Sequence, residues 1–483
     1  MKNWSTYQKS IFNHIANSSN HLGINALAGA GKTSTITEGL KYVPKGKKVL
    51  MLAFNRIIVN ELREKIQKSY VDIYTLHSLG FKSIKNLNSK VIIDEKKMFN
   101  IIKPMVGDDF DLISSLCKCV SMCKNTLSME KDKIKEIIGE FDFETFDLSI
   151  DDYTNIVYKS LEICKEDIKV IDFDDMIWLP VVHKMSIQKY DYVFTDESQD
   201  INRCQTLLIF SAAKKESKIV FVYDINQTLY RFRGADPEVI NTFTNVLKAD
   251  TLSLPITYRC PKKIVYDAQK IVPSFTPSPT AINGEIYNIL EDDLIKYIKP
   301  GDFLLSRTNA PLIKWCMFLL KNKIPTNIQG RDVGESLRWF VKKSKKKTIK
   351  SLISYVNKWR DEQIYKFKDT KKDISMYQDK AECLLNLCEE AKDINDLNNL
   401  IKKLFEDKYD SKRVILSTVH RAKGLEKDNV FLLKSTFRYH PGVVGDEANI
   451  MYVAISRAKK NLYYVRPKDK HHKYDGKSSS ITF

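Results

Sequence analysis

Cysteine is scarce: nine residues, an odd number, lie scattered over 483 positions. That usage suits reduced thiols in an intracellular setting and excludes a disulfide scaffold. The nearest approach to a cluster, Cys117, Cys119 and Cys123, lacks a second ligand pair and sits in an apolar stretch of helical spacing. A buried helix is expected there rather than a zinc site. Glycine and proline are also few, 17 and 14, which rules out a collagenous or low-complexity chain. Long apolar runs are missing too, since none approaches the roughly 18 residues that cross a bilayer. The first 30 residues hold no basic stretch followed by an apolar core, so neither membrane insertion nor secretion is expected.

What is present is an excess of positive charge. Lys and Arg total 78 against 60 Asp and Glu, a net charge of +18, which favours a polyanionic partner, nucleic acid ahead of a membrane surface. A generally Lys-rich proteome gives the same excess, so charge alone leaves both readings open. Hydrophobic residues make up 43% and aromatics 11%. A packed core is available, and the length suggests about three domains.

Short apolar runs bounded by Gly, Asp or Pro recur at 49–54, 190–196, 218–224, 302–306, 414–419 and 430–434. They predict buried parallel strands. Between them, Ile57, Leu62 and Ile66, or Ile394, Leu397, Leu400, Ile401 and Leu404, show helical spacing. The alternation predicts an α/β fold with parallel sheets. Two helical stretches interrupt it, from about 90 to 165 and from about 335 to 410. Each reads as an insertion, and the second opens on a run with six lysines between 342 and 350. No repeat of 20 to 50 residues is visible, which argues against a solenoid. Residues from about 467 are polar and read as a frayed tail.

Residues 24 to 35 read Ile-Asn-Ala-Leu-Ala-Gly-Ala-Gly-Lys-Thr-Ser-Thr, an apolar run turning through small residues into a helix. That is phosphate-binding chemistry. Ala28, Gly29, Ala30, Gly31 and Ser34 let backbone N–H groups converge on phosphates at a helix N-terminus, Lys32 reaches the β/γ oxygens, and Thr33 can ligate Mg²⁺. The strict pattern has Gly where Ala26 stands, so a plain glycine-containing turn stays open for this motif alone. Its partner is Thr195-Asp196-Glu197-Ser198-Gln199-Asp200 after an apolar run. Asp196 suits a Mg²⁺ site, and Glu197 suits a base that orients and deprotonates the attacking water.

Further motifs follow in order. Residues 222 to 235 read Val-Tyr-Asp-Ile-Asn-Gln-Thr-Leu-Tyr-Arg-Phe-Arg-Gly-Ala, then come Thr257-Tyr258-Arg259, Thr418-Val-His-Arg-Ala-Lys-Gly-Leu-Glu426 and Tyr452-Val-Ala-Ile-Ser-Arg-Ala458. Together with the first two, this order resembles the UvrD/Rep-type superfamily 1A DNA helicases from Gln8 to about residue 465. Ala53-Phe54-Asn55 and Tyr230-Arg-Phe-Arg-Gly-Ala235 are most similar to the F-box DNA helicase branch, without an F-box ahead of the motor. Tyr223 departs from the Gly usual before the motif-three Asp.

The resemblance implies two RecA-like lobes with ATP in the cleft between them, each lobe carrying an insertion. Lobe 1A is expected over 1–88 and 166–255, with insertion 1B over 89–165. Lobe 2A is expected over 256–335 and 408–470, with a short insertion 2B over 336–407 and a flexible tail over 471–483. By the same resemblance Arg259 and Arg457 act as arginine fingers, Gln227 senses the γ-phosphate, Gln8 reads adenine, Tyr258 stacks on it and Glu426 contacts ribose. Lys423 is open between a phosphate contact and a structural one. Phe54, His77, Tyr230 and Phe232 match positions lining a single-strand track, where bases stack on aromatic faces. Arg233 adds a cation to that segment, and Arg307 and His420 are further phosphate contacts. Core packing is the alternative for the aromatics. The lysines at 342–350 suit either a duplex contact or a solvated helix end. Asp172-Phe-Asp-Asp175 suits a structural role over a metal-nuclease one.

The expected activity is an ATP- and Mg²⁺-dependent helicase moving on single-stranded DNA and unwinding duplex in replication, repair or recombination. The aromatic Arg-Gly-Ala ending at 230–235 resembles the 3′ to 5′ type. The alternative is an ATP-driven remodeller or loader that displaces proteins without appreciable unwinding. A nuclease-linked subunit or scaffold is disfavoured, with no nuclease module expected after residue 470. Expected partners are single-stranded DNA, single/double-strand junctions and replication or recombination proteins, with no membrane and with monomeric action. The expected location is cytoplasmic, that of the host for a viral or phage chain, or nuclear for a eukaryotic one.

Overall fold

Successive side chains of a strand point to opposite faces, and all four residues of Val49–Leu52 are buried. Such a strand needs cover on both sides. The computed structural model, which describes residues 3–53, 56–66, 69–229, 238–366, 374–405, 412–440 and 442–467, supplies it. Val49 and Met51 pack with Ile11, Phe12, Ile15 and Leu40, whereas Leu50 and Leu52 face Leu79, Ile84 and Trp178. The chain forms two compact units, Met1–Tyr258 and Arg259–Phe483.

The first unit is built on a six-stranded sheet in the order Val71–Tyr74, Val49–Leu52, Tyr190–Thr195, Ala213–Tyr223, Leu22–Ala26 and Asp250–Leu254. Every neighbouring pair is parallel. Ala213–Tyr223 begins five residues before the apolar run that marks it, because Lys214, Lys215 and Glu216 at its start are exposed. Hydrophobicity cannot mark a strand end that faces water. Tyr223 closes this strand and stacks on Phe221, with ring centroids 5.9 Å apart. Ala26 ends its own strand opposite Leu254. Both are extended, so neither position requires glycine.

A helical excursion leaves this unit after Leu76–Leu87. It comprises Lys97–Val106, Phe110–Thr126, Lys131–Glu140 and Ile150–Glu166, closed at its neck by the parallel pair Ile92–Ile93 and Val170–Ile171. Cys119 and Cys123 are buried on Phe110–Thr126, as helical spacing predicts. The excursion returns through Asp175–Val182. A Cβ on Gly80 would lie 1.9 Å from the Met176 carbonyl oxygen, so the helices Leu76–Leu87 and Asp175–Val182 meet backbone to backbone, which only glycine permits. Lys97 Nζ lies 2.6 Å from Asp175 Oδ2, and Lys124 Nζ lies 2.7 Å from Asp175 Oδ1 and 3.0 Å from Asp172 Oδ2. These buried pairs tie two excursion helices to the returning one, so Asp172 and Asp175 are structural.

The second unit repeats the plan. Its sheet runs Glu285–Leu290, Ala458–Arg466, Lys427–Leu433, Phe303–Ser306, Val414–Thr418 and Thr326–Ile328, again all parallel. Ala310–Lys321, Arg331–Ser344, Ile349–Lys366, Ser375–Glu390 and Ile394–Leu404 share one core through Ile313, Phe340, Val356, Leu387 and Ile401. Asp379, from Ser375–Glu390, caps Ala310–Lys321 by accepting the N–H groups of Asn309 at 3.0 Å and Ala310 at 2.7 Å. Among the described residues no helix is long and apolar enough to cross a membrane.

Candidate nucleotide and nucleic-acid site

In an open parallel sheet, ligands gather beyond the carboxyl ends of the strands. Three adjacent strands of the first unit end together here, with Asn25 opposite Tyr223 and Thr195 opposite Phe221. Beyond these ends lie the 27–31 loop, Asp196-Glu197 and Asp224. The loop turns through Gly29 at φ +68° and Gly31 at φ +79°, left-handed values that β-carbon-bearing residues rarely adopt. Gly31 caps the helix Lys32–Gly39, and the turn is closed by the Ala30 N–H donating to the Leu27 carbonyl at 3.1 Å. Thr33 and Ser34, partly exposed, occupy its first turn.

Lys32 Nζ stands 3.2 Å from Glu197 Oε1. Burial works against its charge, but the carboxylates of Glu197, Asp224 and Asp196 outweigh burial and raise its pKa. Glu197 itself holds a left-handed backbone at φ +50°, uncommon for a residue with a side chain and concentrated at functional positions. Its N–H donates to Asp196 Oδ1 at 2.9 Å. Asp224 is fully buried. Burial pushes its pKa up, and Lys32 and the Gln227 hydrogen bond oppose that rise. Gln227 Nε2 donates to Asp224 Oδ2 at 2.6 Å.

Gln8 sits at the base end of the same loop. It forms a capping box with Ser5 at the helix Thr6–Asn17, and its Nε2 donates to Thr35 Oγ1 at 2.9 Å. The Tyr258 N–H donates to the Gly29 carbonyl at 2.9 Å, while half of the Tyr258 surface stays exposed. A Cβ on Gly31 would lie 3.7 Å from Gln8 Nε2 and 4.0 Å from the Tyr258 ring. The first unit therefore gathers Gln8, Ala28 to Ser34, Asp196, Glu197, Gln227 and Tyr258 around one loop.

The order of these elements matches known proteins. A family model described as the UvrD/REP helicase N-terminal domain matches residues 4–248, and one described as the UvrD-like helicase C-terminal domain matches residues 184–466. The chain belongs to the UvrD/Rep helicase family. It is 26% identical to the ATP-dependent DNA helicase PcrA of Bacillus subtilis over 278 residues, 51% of this chain and 36% of that protein. It is 27% identical to the ATP-dependent DNA helicase Rep of Buchnera aphidicola over 281 residues, 51% of this chain and 42% of that protein. These matches thus cover about two fifths of the relatives' length.

In the second unit, Arg259 is ion-paired with Glu426 and donates to the Ser456 carbonyl at 3.4 Å. Arg457 is 1% exposed. Its guanidinium donates to the Val453 carbonyl at 2.9 Å, the Leu425 carbonyl at 3.2 Å and Ser456 Oγ at 2.9 Å, which binds the helix Asp446–Ile455 to the segment before Lys427–Leu433. Arg307 and His420 follow two paired strand ends, Ser306 opposite Thr418. Arg307 Nε donates to Glu447 Oε1 at 3.1 Å.

His77 lies in the first turn of Leu76–Leu87, edge-on to Phe173, with ring centroids 6.5 Å apart. Burial first, then nearby Arg56, pushes its pKa down, which favours a neutral ring. Phe54, Tyr230, Phe232 and Arg233 lie outside the described residues. Two residues escaped the sequence reading. Gln199, in the acidic turn itself, bridges Glu197 and Asp224. Phe173 is 45% exposed between the buried Asp172 and Asp175, an aromatic facing water inside an otherwise structural motif.

Proposed function

We propose that the chain is an ATP-driven motor that moves on single-stranded DNA, 3′ to 5′, and separates duplex strands. The observation that carries the reading is the Lys32–Glu197 pair at the mouth of a glycine-turned phosphate loop. A lysine with raised pKa remains a full positive charge, and exchanging Glu197 for the β- and γ-phosphates frees the carboxylate to face water. Glu197 then accepts a proton from the water that attacks the γ-phosphorus. The bond to the bridging oxygen breaks, leaving ADP and phosphate. Oxygen donors suit a hard cation, so the Thr33 hydroxyl and the Asp196 carboxylate would hold Mg²⁺, which supplies charge neutralisation for the transferred group.

Gln8 and Tyr258 form the base end of the site, Glu426 contacts ribose, and Arg259 and Arg457 are the arginines that stabilise the transition state. Gln227 reports the γ-phosphate through Asp224. On the nucleic-acid side, His77 and the exposed Phe173 ring offer a stacking surface, the resemblance gives a strand-contacting role to Phe54, Tyr230, Phe232 and Arg233 as well, and Arg307 and His420 are phosphate contacts. The expected lobes and insertions carry these groups. ATP hydrolysis with and without single-stranded DNA, together with strand displacement on 3′-tailed and 5′-tailed duplexes, tests the reading. Stimulated hydrolysis and displacement of the 3′-tailed substrate are expected. Stimulated hydrolysis without displacement of either substrate would instead favour a protein-displacing remodeller.

A further inference from the structure

The sheet of the second unit starts at Glu285–Leu290, with no further strand beyond it among the described residues. An edge strand offers its outward N–H and C=O groups as a template for pairing, and proteins usually blunt it by shortness, lysine or proline. Glu285–Leu290 has none of these devices. It is the longest of the four edge strands, six residues against five for Asp250–Leu254, four for Val71–Tyr74 and three for Thr326–Ile328. Its one charge, Glu285, is held by Lys263 at 2.6 Å. Tyr287 and Leu290 are exposed, as is Ile282 just before the strand.

Two features decide what this edge fits. Phe431, Tyr463 and Tyr287 stand in register on three neighbouring strands, their ring centroids 4.2 and 4.7 Å apart and their planes 9° and 20° from parallel. This ladder stops at Tyr287, 39% exposed at the rim of the sheet. The second feature is charge of opposite sign at the two ends. The acidic turn Glu291–Asp293 follows the strand. Asp293 is held by Lys296 at 2.6 Å, whereas burial, then the Asp292 carboxylate, pushes the Glu291 pKa up. At the other end the Lys262 and Lys263 N–H groups donate to the Ile282 and Asn283 carbonyls at 2.9 and 3.0 Å. Neither Glu291 nor Lys262 has an ion pair among the described residues.

A strand that is apolar in the middle, acidic at one end and basic at the other complements itself run backwards. Turned about a two-fold axis at Tyr287, it meets its own copy antiparallel. Tyr287 then faces Tyr287 of the second copy, Leu290 faces Gly284, and Glu291 comes beside Asn283, at the lysine end. Opposite residues share a face of the sheet, so the aromatic ladder runs on from one copy into the other. A nucleobase stacked on Tyr287 would instead bring phosphates to the acidic turn, which repels them.

We propose that the free edge of Glu285–Leu290 is an interface for a second copy of this chain, the two sheets joining edge to edge in antiparallel register about Tyr287. The surface goes beyond the motor reading and uses none of its residues. The resemblance implies monomeric action, and this edge adds a concentration-dependent dimer to it. Sedimentation equilibrium of the full chain without nucleotide, over a concentration series, is the test. The parent should pass from monomer to dimer as concentration rises, and Tyr287→Lys should stay monomeric. Glu291→Lys and Lys262→Glu should each weaken the dimer about tenfold, since each sets like charges together at two symmetric places. Both changes in one chain restore opposite charges and should return the parent's dissociation constant to within about twofold, a recovery that a misfolded variant does not show. A parent that stays monomeric up to its solubility limit overturns the proposal. So does a dimer that survives Tyr287→Lys, or a double variant as weak as its singles. Loss of single-strand affinity in Tyr287→Lys with association unchanged assigns the ring to a nucleobase and also overturns it. ATP hydrolysis per chain should be the same in every variant. Its absence in the parent would count against the motor and leave the association result standing.

Discussion

Gln199 Nε2 donates to Glu197 Oε2 across 2.6 Å, while Gln199 Oε1 accepts the Asp224 N–H at 3.0 Å. One buried amide thereby fixes the proposed base and ties it to the residue that holds Gln227. Gln199→Ala should slow hydrolysis about tenfold or more, the scale of a mispositioned general base, with nucleotide affinity changed only a few-fold. Gln199→Glu sets a second carboxylate beside Glu197, which raises the pKa of the base. The acid limb of the pH–rate profile should therefore move to higher pH, a shift that a merely destabilised fold does not produce.

The two arginines should separate by assay. Arg457→Ala empties the place of a fully buried side chain and removes the donor to the half-buried Leu425 carbonyl, while the Val453 carbonyl keeps the Ser456 hydroxyl, at a cost of about 1–3 kcal/mol for the group left unsatisfied. A large drop in urea-unfolding stability is expected, partly restored by Arg457→Lys. Arg259→Ala removes a partly exposed ion pair worth about 1 kcal/mol or less. Its unfolding curve should barely move while hydrolysis falls about 10³-fold, the scale of the arginine-finger role proposed for it.

Gly80→Ala places a methyl group against the Met176 carbonyl. Separating the two helices should cost about 1–3 kcal/mol, the usual range for overpacking. A lowered urea midpoint with unchanged slope is the expected reading.

Burial first, then the Asp172 carboxylate, pushes Asp174 up to about 6, against the opposing Ser121 hydrogen bond and Lys124. A raised acid favours its protonated form in the folded state. Its stabilising contribution is complete below the ordinary value of 3.8 and is lost as pH rises through about 6. Asp174→Asn should therefore be more stable than the parent at pH 7 to 8, with the difference vanishing below about pH 4. Chemical denaturation across that range reads it directly.

The strands buried on both faces were legible because continuous apolar runs mark them, and Ile394, Leu397, Leu400, Ile401 and Leu404 announced their helix by spacing alone. Strands such as Glu285–Leu290 and Ala458–Arg466 were not, since Asn288, Lys459 and Lys460 face water and interrupt any apolar run. In the site, Lys32 and Glu197 were visible as types in a pattern, and the structure places them 3.2 Å apart. Gln199 was hidden for a physical reason: an amide in an acidic turn looks like solvent-facing chain until Asp224, 25 residues on, folds against it. Phe173 was hidden by its neighbours, because Asp172 and Asp175 turn inward to lysines while the ring between them stays exposed.

The quartet of Lys97, Lys124, Asp172 and Asp175 carries a constraint on descent. Losing any one member would leave the other three with a net charge away from water, a penalty of about 3–5 kcal/mol, whereas exchanging the whole group for well-fitting hydrocarbon can be nearly neutral. Change at this spot is therefore costly in single steps and cheapest as a collective swap, so the seating of the helical excursion behaves as an indivisible unit.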